Sequence, residues 1–354
     1  MADQTYTLNN GVKIPKLGFG AHFPETPPTT LPMARWREKK TNLFLLRGKT
    51  GTWQADPGQV SSAVAVALKA GYRLIDGAYC YGNEDEVGQG LRAGFDAGIR
   101  REDVFVVSKA WATYSSRVEE CLDKSLKSLG LDYVDLYLVH WPVAMNPDGN
   151  HDRFPKLPNG ERDIIWEHDH TDTWAQMEAL LGTGKVKAIG VSNYSVRYLE
   201  QLLAKAKVVP AVNQIENHPA LPQQDVVDFC RAKGIHVMAY SPLGSTGGPL
   251  FKAEPVVRLA EKYKVAPAAI LLSYHIPRGS TVLAKSVTEE RIKENLKLVD
   301  LTAEDSRLLD EYSEKLGREG KHERFVYPPF GINFGFPDQP QGVVVEGGKI
   351  ISKA

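Results

Sequence analysis

The sequence predicts an α/β fold, a (β/α)8 barrel of the TIM type, formed by one domain over residues 1–354. Eight short apolar segments recur along the chain. Most are continuously apolar, as expected for parallel strands that are covered on both faces. Amphipathic helical segments separate them, and no change of composition divides the chain. A doubly wound sheet shares this alternation, but polar side chains at the C-terminal ends of the apolar segments favour the barrel.

The predicted elements follow one another in a regular order. A β-hairpin over 5–14, with Asn-Asn-Gly at its centre, precedes the barrel. The eight predicted strands are 16–20, 72–78, 103–111, 133–141, 185–193, 210–218, 235–244 and 280–286. The predicted helices are 56–70, 116–129, 172–181, 196–206, 225–233, 266–275 and 289–298. The first of them begins with Asp-Pro-Gly, which is typical of a helix N-terminus.

Some segments do not follow the repeat. Residues 146–171 are polar and rich in Pro and Gly, which predicts a long loop at the C-terminal face. Residues 317–340 are aromatic and proline-rich and predict a C-terminal flap, and 338–354 predict a flexible tail. Residues 21–51 contain four prolines and six Lys or Arg against two Glu, with neither helical nor strand periodicity. We interpret that block as an atypical insertion.

Charge, hydropathy and cysteine content exclude several classes of protein. Lys plus Arg and Asp plus Glu both number 43, and the pI is about 7.1. A nucleic-acid-binding protein would have a basic face, and no apolar run reaches the roughly 20 residues that span a bilayer. The N-terminus lacks a secretory signal, and three scattered cysteines (Cys80, Cys121 and Cys230) do not form a disulfide framework. We expect a cytoplasmic monomer that binds a small carbonyl compound and neither nucleic acid nor a membrane.

Several familiar sites have no counterpart in the sequence. Gly18-Phe19-Gly20 is not followed by a third glycine and a helix, so a Rossmann dinucleotide site is not supported. The sequence has no HExxH or CxxC motif, and we therefore expect no metal. A GxSxG nucleophile motif is also missing.

Four polar residues end or follow predicted strands, and together they suit carbonyl reduction. Asp76, Lys109 and His140 close three successive strands, and Tyr81 lies in the loop after the first of them. A nearby ammonium lowers the pKa of a tyrosine, the carboxylate holds the ammonium, and the histidine orients a carbonyl. The set would then donate a proton to the substrate. The alternative for each residue alone is a structural ion pair between Asp76 and Lys109, and a core histidine.

The motifs around these residues resemble those of the aldo-keto reductase family. DGAYCYGNEDEVG at 76–88 resembles its first signature, LVHWP at 138–142 the strand with the catalytic histidine, and LAKSVTEERIKEN at 283–295 its phosphate-binding signature. The resemblance extends over roughly 5–336, apart from 21–51. Within the family, the loop at 145–155 and the tail at 324–337 are most similar to the filamentous-fungal NADP-dependent glycerol dehydrogenase and L-glyceraldehyde reductase branch.

The resemblance implies an NADP-dependent alcohol dehydrogenase that binds NADPH without a Rossmann unit. It implies that Tyr81 donates the proton, that Lys109 and Asp76 tune the pKa of Tyr81, and that His140 orients the carbonyl. The implied cofactor-binding residues are Thr52, Trp53, Ser192, Asn193, Gln214, Tyr240, Ser241, Leu243, Ser245, Lys285, Ser286, Arg291, Glu294 and Asn295. Of these, Lys285, Ser286 and Arg291 would bind the 2′-phosphate of NADPH, whereas NAD favours an acidic residue at the ribose.

The substrate pocket is implied to be walled by Trp53, Trp111 and Trp141 together with His140 and the flap; core packing is the alternative for the tryptophans. We expect reversible reduction of glyceraldehyde and dihydroxyacetone to polyols, with glycerol oxidised in reverse, since the pocket has few obvious cations. Two alternatives are a reductase of pentoses or uronic acids and a catalytically silent binding protein on the same scaffold.

The block at 21–51 departs from the family pattern. It separates Leu17-Gly18-Phe19-Gly20 from Thr52-Trp53, which follow one another directly in family members. We interpret the block as a translated intron or an error in the gene model, because it divides a motif that is otherwise intact. An added lid over the cofactor is the alternative.

Overall fold

The computed structural model of the chain describes residues 4–21, 58–244, 248–326, 328–339 and 341–353. The predicted insertion at 21–51 lies outside the described residues apart from Ala21, and so do the predicted cofactor contacts Thr52, Trp53 and Ser245.

The strands follow the predicted order. In chain order they are β1 (Thr5–Thr7), β2 (Lys13–Pro15), β3 (Leu17–Gly20), β4 (Leu74–Asp76), β5 (Phe105–Ala110), β6 (Val134–Val139), β7 (Val186–Ser192), β8 (Val212–Glu216), β9 (His236–Tyr240), β10 (Thr281–Ala284), β11 (Val343–Glu346) and β12 (Lys349–Lys353). β3 to β10 form a closed barrel of parallel strands in which β10 pairs with β3. The antiparallel β1–β2 hairpin precedes it. The (β/α)8 barrel and its N-terminal hairpin are thus confirmed.

The helices lie outside the barrel. They are α1 (Gln59–Ala70), α2 (Glu84–Asp96), α3 (Val118–Leu129), α4 (His170–Ala179), α5 (Val196–Leu203), α6 (Gln224–Ala232), α7 (Glu254–Tyr263), α8 (Pro267–Ser273), α9 (Glu289–Glu294) and α10 (Ala303–Arg318). Their apolar faces cover the outer side of the strands, which explains why most strands are buried along their whole length. Within the described ranges, no helix is both long and apolar enough to cross a bilayer.

Three helices were not predicted from the sequence. α2 contains Gly88, Gly90 and Gly94, and each glycine costs a helix about 1 kcal/mol relative to alanine. The structure gives the reason for these glycines: a Cβ atom at Gly88 would lie 2.5 Å from the carbonyl oxygen of Leu129. α7 and α10 pack with α8 in a separate apolar cluster. These two helices are additional to a pattern of one helix per barrel strand, so a simple alternation of strands and helices does not predict them.

The C-terminal region covers the mouth of the barrel. Phe330, Phe334 and Phe336 of the predicted flap are buried in the main core. Beyond it, β11 and β12 form a hairpin, where the sequence analysis expected a flexible tail over 338–354. Three consecutive valines favour the strand, and Gly347 and Gly348 both adopt the positive φ that a tight hairpin turn requires.

Candidate active site

The barrel brings the four predicted catalytic residues together at one end. Asp76 is the last residue of β4, Lys109 lies one residue before the end of β5, and His140 directly follows β6. Neighbouring parallel strands in this order place these ends at the same mouth of the barrel. Tyr81 ends a short 3-10 turn, Tyr79–Tyr81, that follows β4.

Lys109 holds the centre of this cluster. Its side chain is fully buried, and its ammonium lies 2.8 Å from both carboxylate oxygens of Asp76 and 2.8 Å from the main-chain oxygen of Gly77. The same nitrogen lies 3.5 Å from the hydroxyl of Tyr81. The ion pair between Asp76 and Lys109, which was the structural alternative to a catalytic role, is therefore present. Because its ammonium also lies beside Tyr81, the same residues fit both the structural and the catalytic interpretation.

The pKa of Tyr81 differs from the sequence-based expectation. Burial raises the pKa of its hydroxyl well above the usual value, and the negative charge of Asp76 raises it further. The expectation of a lowered pKa was wrong mainly because the hydroxyl is buried, and also because Asp76 binds the ammonium of Lys109 at shorter range than that ammonium reaches the hydroxyl. Tyr81 is therefore protonated at neutral pH, which is the state that a proton donor needs.

His140 faces Tyr81 across the barrel mouth. The two rings lie 5.6 Å apart, edge to face, and the Sγ atom of Cys80 lies 3.4 Å from the Nδ1 atom of His140. Burial raises the pKa of the Cys80 thiol, which keeps its hydrogen. If that weak donor contacts Nδ1, the imidazole carries its own hydrogen on Nε2. In that tautomer Nε2 can donate to a carbonyl oxygen.

A hydrogen-bond network joins the predicted cofactor-binding residues to this cluster. The residues concerned end or lie within β7, β8 and β9, or follow them directly: Ser192, Asn193, Gln214 and Tyr240. Gln214 Nε2 donates to Asp76 Oδ1 over 2.8 Å. Asn193 Nδ2 donates to the main-chain oxygen of His140 over 2.9 Å, and Tyr240 donates to Asn193 Oδ1 over 2.7 Å. A ligand bound to these amides would sit directly beside the proton donor.

The predicted phosphate-binding residues lie on two neighbouring segments. β9 and β10 pair with each other, so the segment with Ser241 and Leu243 and the segment with Lys285 and Ser286 leave the barrel side by side. Arg291, Glu294 and Asn295 lie on or directly after α9. Arg291 is exposed and has no ion-pair partner in the part of the chain that the structure describes. Two cations and a hydroxyl suit a phosphate monoester.

Aromatic residues wall the space in front of His140. The Trp111 ring lies 5.2 Å from the His140 ring, and Trp141 packs on Phe330 at 5.7 Å and on Phe334 at 5.4 Å. Both tryptophans are also part of the main core, so packing and pocket lining are compatible here. Among the residues that the structure describes, no group of His, Cys, Asp and Glu could hold a metal ion.

The loop at 146–171 contributes a residue that the sequence analysis did not single out. The indole nitrogen of Trp111 donates to the main-chain oxygen of Arg153. Next to it, the hydroxyls of Tyr79 and Tyr114 donate to the carboxylate of Asp152 over 2.5 and 2.8 Å. The main chain of this loop therefore contacts the wall of the aromatic pocket. A loop without periodicity gives no sequence signal for such a contact.

Comparison with known proteins defines the class. A model of the Aldo/keto reductase family matches residues 46–314. The chain is 60% identical over 339 residues to the D-galacturonate reductase of Hypocrea jecorina, covering 96% of this chain and 100% of the relative. It is 42% identical over 336 residues to the glycerol 2-dehydrogenase (NADP(+)) of Saccharomyces cerevisiae, covering 92% and 98%. An aldehyde reductase of the same yeast is 42% identical over 320 residues, covering 88% and 92%.

The chain belongs to the aldo/keto reductase family, and it is an oxidoreductase of that family. The family, inferred above from the motifs at 76–88, 138–142 and 283–295, is confirmed, and so is its fungal branch, inferred from the loop at 145–155 and the tail at 324–337.

Proposed function

We propose that the protein reduces the aldehyde group of D-galacturonate, a uronic acid, with NADPH. The observation that carries the proposal is the 60% identity to a D-galacturonate reductase along that relative's whole length. The sequence-based preference for glyceraldehyde and dihydroxyacetone is supported less well, since the glycerol 2-dehydrogenase is 42% identical.

The cluster at the barrel mouth suits the protein's part in this reaction. NADPH supplies the hydride that the aldehyde carbon accepts. As negative charge develops on the aldehyde oxygen, the hydrogen on Nε2 of His140 stabilises it and the hydroxyl of Tyr81 transfers its proton to it. A raised pKa does not prevent this transfer, because an alkoxide is a stronger base than a phenolate. The ammonium of Lys109, 3.5 Å away, then stabilises the phenolate that remains.

The same cluster explains the contribution of Asp76. Both carboxylate oxygens of Asp76 lie 2.8 Å from the ammonium of Lys109 and fix its position beside Tyr81. Gln214 donates a hydrogen bond to Asp76 and so joins this pair to the cofactor site. The side-chain amides of Gln214 and Asn193 would hold the nicotinamide carboxamide, and Tyr240 would stack on the nicotinamide ring.

We expect Arg291→Ala to weaken NADPH binding by about tenfold or more and to leave NADH binding nearly unchanged. A hydrogen bond to a charged group contributes roughly 1.5–3 kcal/mol, and the two cofactors differ only in the 2′-phosphate. Fluorescence titration of both cofactors measures the effect. Lys293→Ala is the matched control, because that lysine lies on the same helix but pairs with Glu289. Equal losses for NADPH and NADH in Arg291→Ala would contradict a contact with the 2′-phosphate.

Initial rates of NADPH oxidation test the substrate. We expect a larger kcat/KM for D-galacturonate than for glyceraldehyde, dihydroxyacetone or xylose under identical conditions. A kcat/KM that favours glyceraldehyde, or no turnover of galacturonate by a folded sample that reduces glyceraldehyde, would contradict the proposal. Such a result would instead support the polyol-forming activity of the glycerol dehydrogenase branch.

A further inference from the structure

We infer that Asp152 is a positioning residue for the reaction, whose carboxylate joins the loop at 146–171 to the turn that carries Tyr81. The hydroxyls of Tyr79 and Tyr114 both donate to that carboxylate. This inference rests on the proposed function, because it takes Tyr81 as the group that donates the proton. Asp152 would act on the proton donor through Tyr79, which lies two residues before it in the chain.

The turn that carries the proton donor is short and closed by its own main chain. Tyr79 and Tyr81 are the first and last residues of one 3-10 turn. The amide of Tyr81 donates to the carbonyl oxygen of Ala78 over 3.1 Å, and the amide of Gly82 donates to that of Tyr79 over 3.2 Å. Three residues bonded in this way form a single tight unit. A contact that fixes the side chain of Tyr79 therefore also restricts where Tyr81 can lie.

The carboxylate of Asp152 accepts one hydrogen bond on each oxygen. Tyr79 donates to Oδ2 over 2.5 Å, and Tyr114 donates to Oδ1 over 2.8 Å. The two phenol rings also pack edge to face, with centroids 5.1 Å apart. Burial alone would raise the pKa of Asp152, but the hydrogen bonds from the two hydroxyls lower it and the pKa ends below its usual value. The acceptor is thus charged at neutral pH, which strengthens both hydrogen bonds.

These contacts connect the segments that follow two neighbouring barrel strands. Tyr79 follows β4, the strand that ends at Asp76. Tyr114 ends a second short turn, Ala112–Tyr114, that follows β5, the strand that carries Lys109. Asp152 therefore bridges the two strands whose buried ion pair lies beside the proton donor. Loss of the bridge is expected to shift the hydroxyl of that donor, and small displacements of a reacting group slow a reaction steeply.

The loop holds Asp152 in a defined place. Asn150 binds both main-chain polar atoms of Lys156, because its side chain accepts from the amide over 2.9 Å and donates to the carbonyl oxygen over 3.1 Å. The main-chain oxygen of Arg153, the residue after Asp152, accepts the indole N–H of Trp111. The loop is thus closed on itself around Asp152 and is bonded to the pocket wall at the next residue.

Neighbouring cations decide which variants isolate the contact. Lys124 donates to the hydroxyl of Tyr114. The positive charges of Lys124 and Arg153 also lower the pKa of Asp152. Removing Asp152 therefore alters the surroundings of both cations, whereas removing the hydroxyl of Tyr79 leaves every charge in place. Both variants and their combination are needed to isolate the contact between Tyr79 and Asp152.

A double-mutant cycle of Tyr79→Phe and Asp152→Ala tests the inference. Tyr79→Phe removes only the hydroxyl, and its ring can still pack on Tyr114. We expect each variant to lower kcat by about tenfold while NADPH affinity stays near the wild-type value. We expect the double variant to be no slower than Asp152→Ala alone, and not slower by about a hundredfold than the wild type, because both changes break the same contact.

The solvent isotope effect on kcat separates a positioning role from a merely structural one. If the hydroxyl of Tyr81 is displaced, its proton transfer slows and limits turnover more strongly. The ratio of kcat in light water to kcat in heavy water is then expected to rise in Tyr79→Phe.

Asp148→Ala is the matched control. Asp148 is an exposed carboxylate of the same loop, and across the described ranges its side chain makes no hydrogen bond or ion pair. We expect this variant to keep the wild-type kcat and the wild-type isotope effect. Those values would show that loss of a negative charge from the loop is not sufficient to slow the reaction.

The outcomes are distinguishable when every rate is measured with both galacturonate and glyceraldehyde. If Tyr79→Phe changes only the melting temperature, or if the two losses multiply in the double variant, Asp152 does not position the proton donor through Tyr79 and the inference is overturned. If the wild-type protein reduces glyceraldehyde but not galacturonate, the proposed substrate is wrong, and the rates with glyceraldehyde still decide the role of Asp152. Near wild-type turnover in Tyr81→Phe would remove the premise and overturn the inference with it.

Discussion

Tyr81→Phe is expected to lower kcat by about 10²–10⁴-fold, the usual contribution of general acid–base catalysis. Only the hydroxyl is lost, so the ring still packs at 5.6 Å from His140 and NADPH binds with nearly unchanged affinity. The ion pair between Lys109 and Asp76 is also left intact. Steady-state rates with galacturonate, together with a fluorescence titration of NADPH, measure both effects.

Tyr274→Phe serves as the control for Tyr81→Phe. It removes another buried tyrosine hydroxyl, in a separate apolar cluster with Leu259 and Leu309. We expect wild-type turnover from that variant. A Tyr81→Phe enzyme that retains turnover within a few-fold of the wild type would show that another group donates the proton.

Lys109→Met is expected to damage both stability and turnover. Removing one partner of a buried ion pair leaves the other charge unpaired and costs about 3–5 kcal/mol of unfolding free energy. Asp76 is only 3% exposed, so water does not compensate for the missing ammonium. A protein of this size loses roughly 2–4 °C of melting temperature per kcal/mol, so Tm should fall by roughly 10 °C. We expect kcat to fall by about 10²–10³-fold, which is the usual effect of removing one preorganised group that stabilises charge in a transition state.

The appropriate comparison for Lys109→Met is Lys262→Met. Lys262 also pairs with a buried carboxylate, that of Asp305, but its own side chain is 52% exposed. The hydroxyl of Tyr263 still donates to Asp305 when the lysine is gone. The expected loss is therefore within about 1 kcal/mol, as for other exposed pairs. If Lys109→Met unfolds at the wild-type temperature with wild-type turnover, the buried pair has neither a structural nor a catalytic role.

The sequence was sufficient for the parts of the fold and site that follow from strand order. Continuous apolar segments ending in Asp76, Lys109 and His140 predict both the strands and the polar groups at their ends. Once the strands are parallel neighbours, the barrel brings those ends together. The residues of the cluster could therefore be named without coordinates, although their distances could not.

Other features depend on contacts that no local pattern reveals. The helix α2 was missed because its glycines disfavour helix in isolation, and only the close approach of Leu129 accounts for Gly88. The pKa of Tyr81 was expected to fall because the ammonium of Lys109 was considered without the burial of the tyrosine hydroxyl and without the shorter contact of that ammonium to Asp76. The contact between the main chain of Arg153 and the pocket wall was not predicted, because it depends on Trp111, which is distant in sequence.

The fate of the transferred hydride is the decisive measurement for the proposed reduction. The wild-type protein would be incubated with D-galacturonate and NADPH carrying deuterium at the transferable position, and the product would be analysed by mass spectrometry and NMR. We expect one deuterium on the carbon that was the aldehyde, an intact carboxylate, and one NADPH consumed per product molecule. A product without deuterium at that carbon, or no product from a sample that oxidises NADPH with glyceraldehyde, would contradict the proposed reduction of a sugar acid.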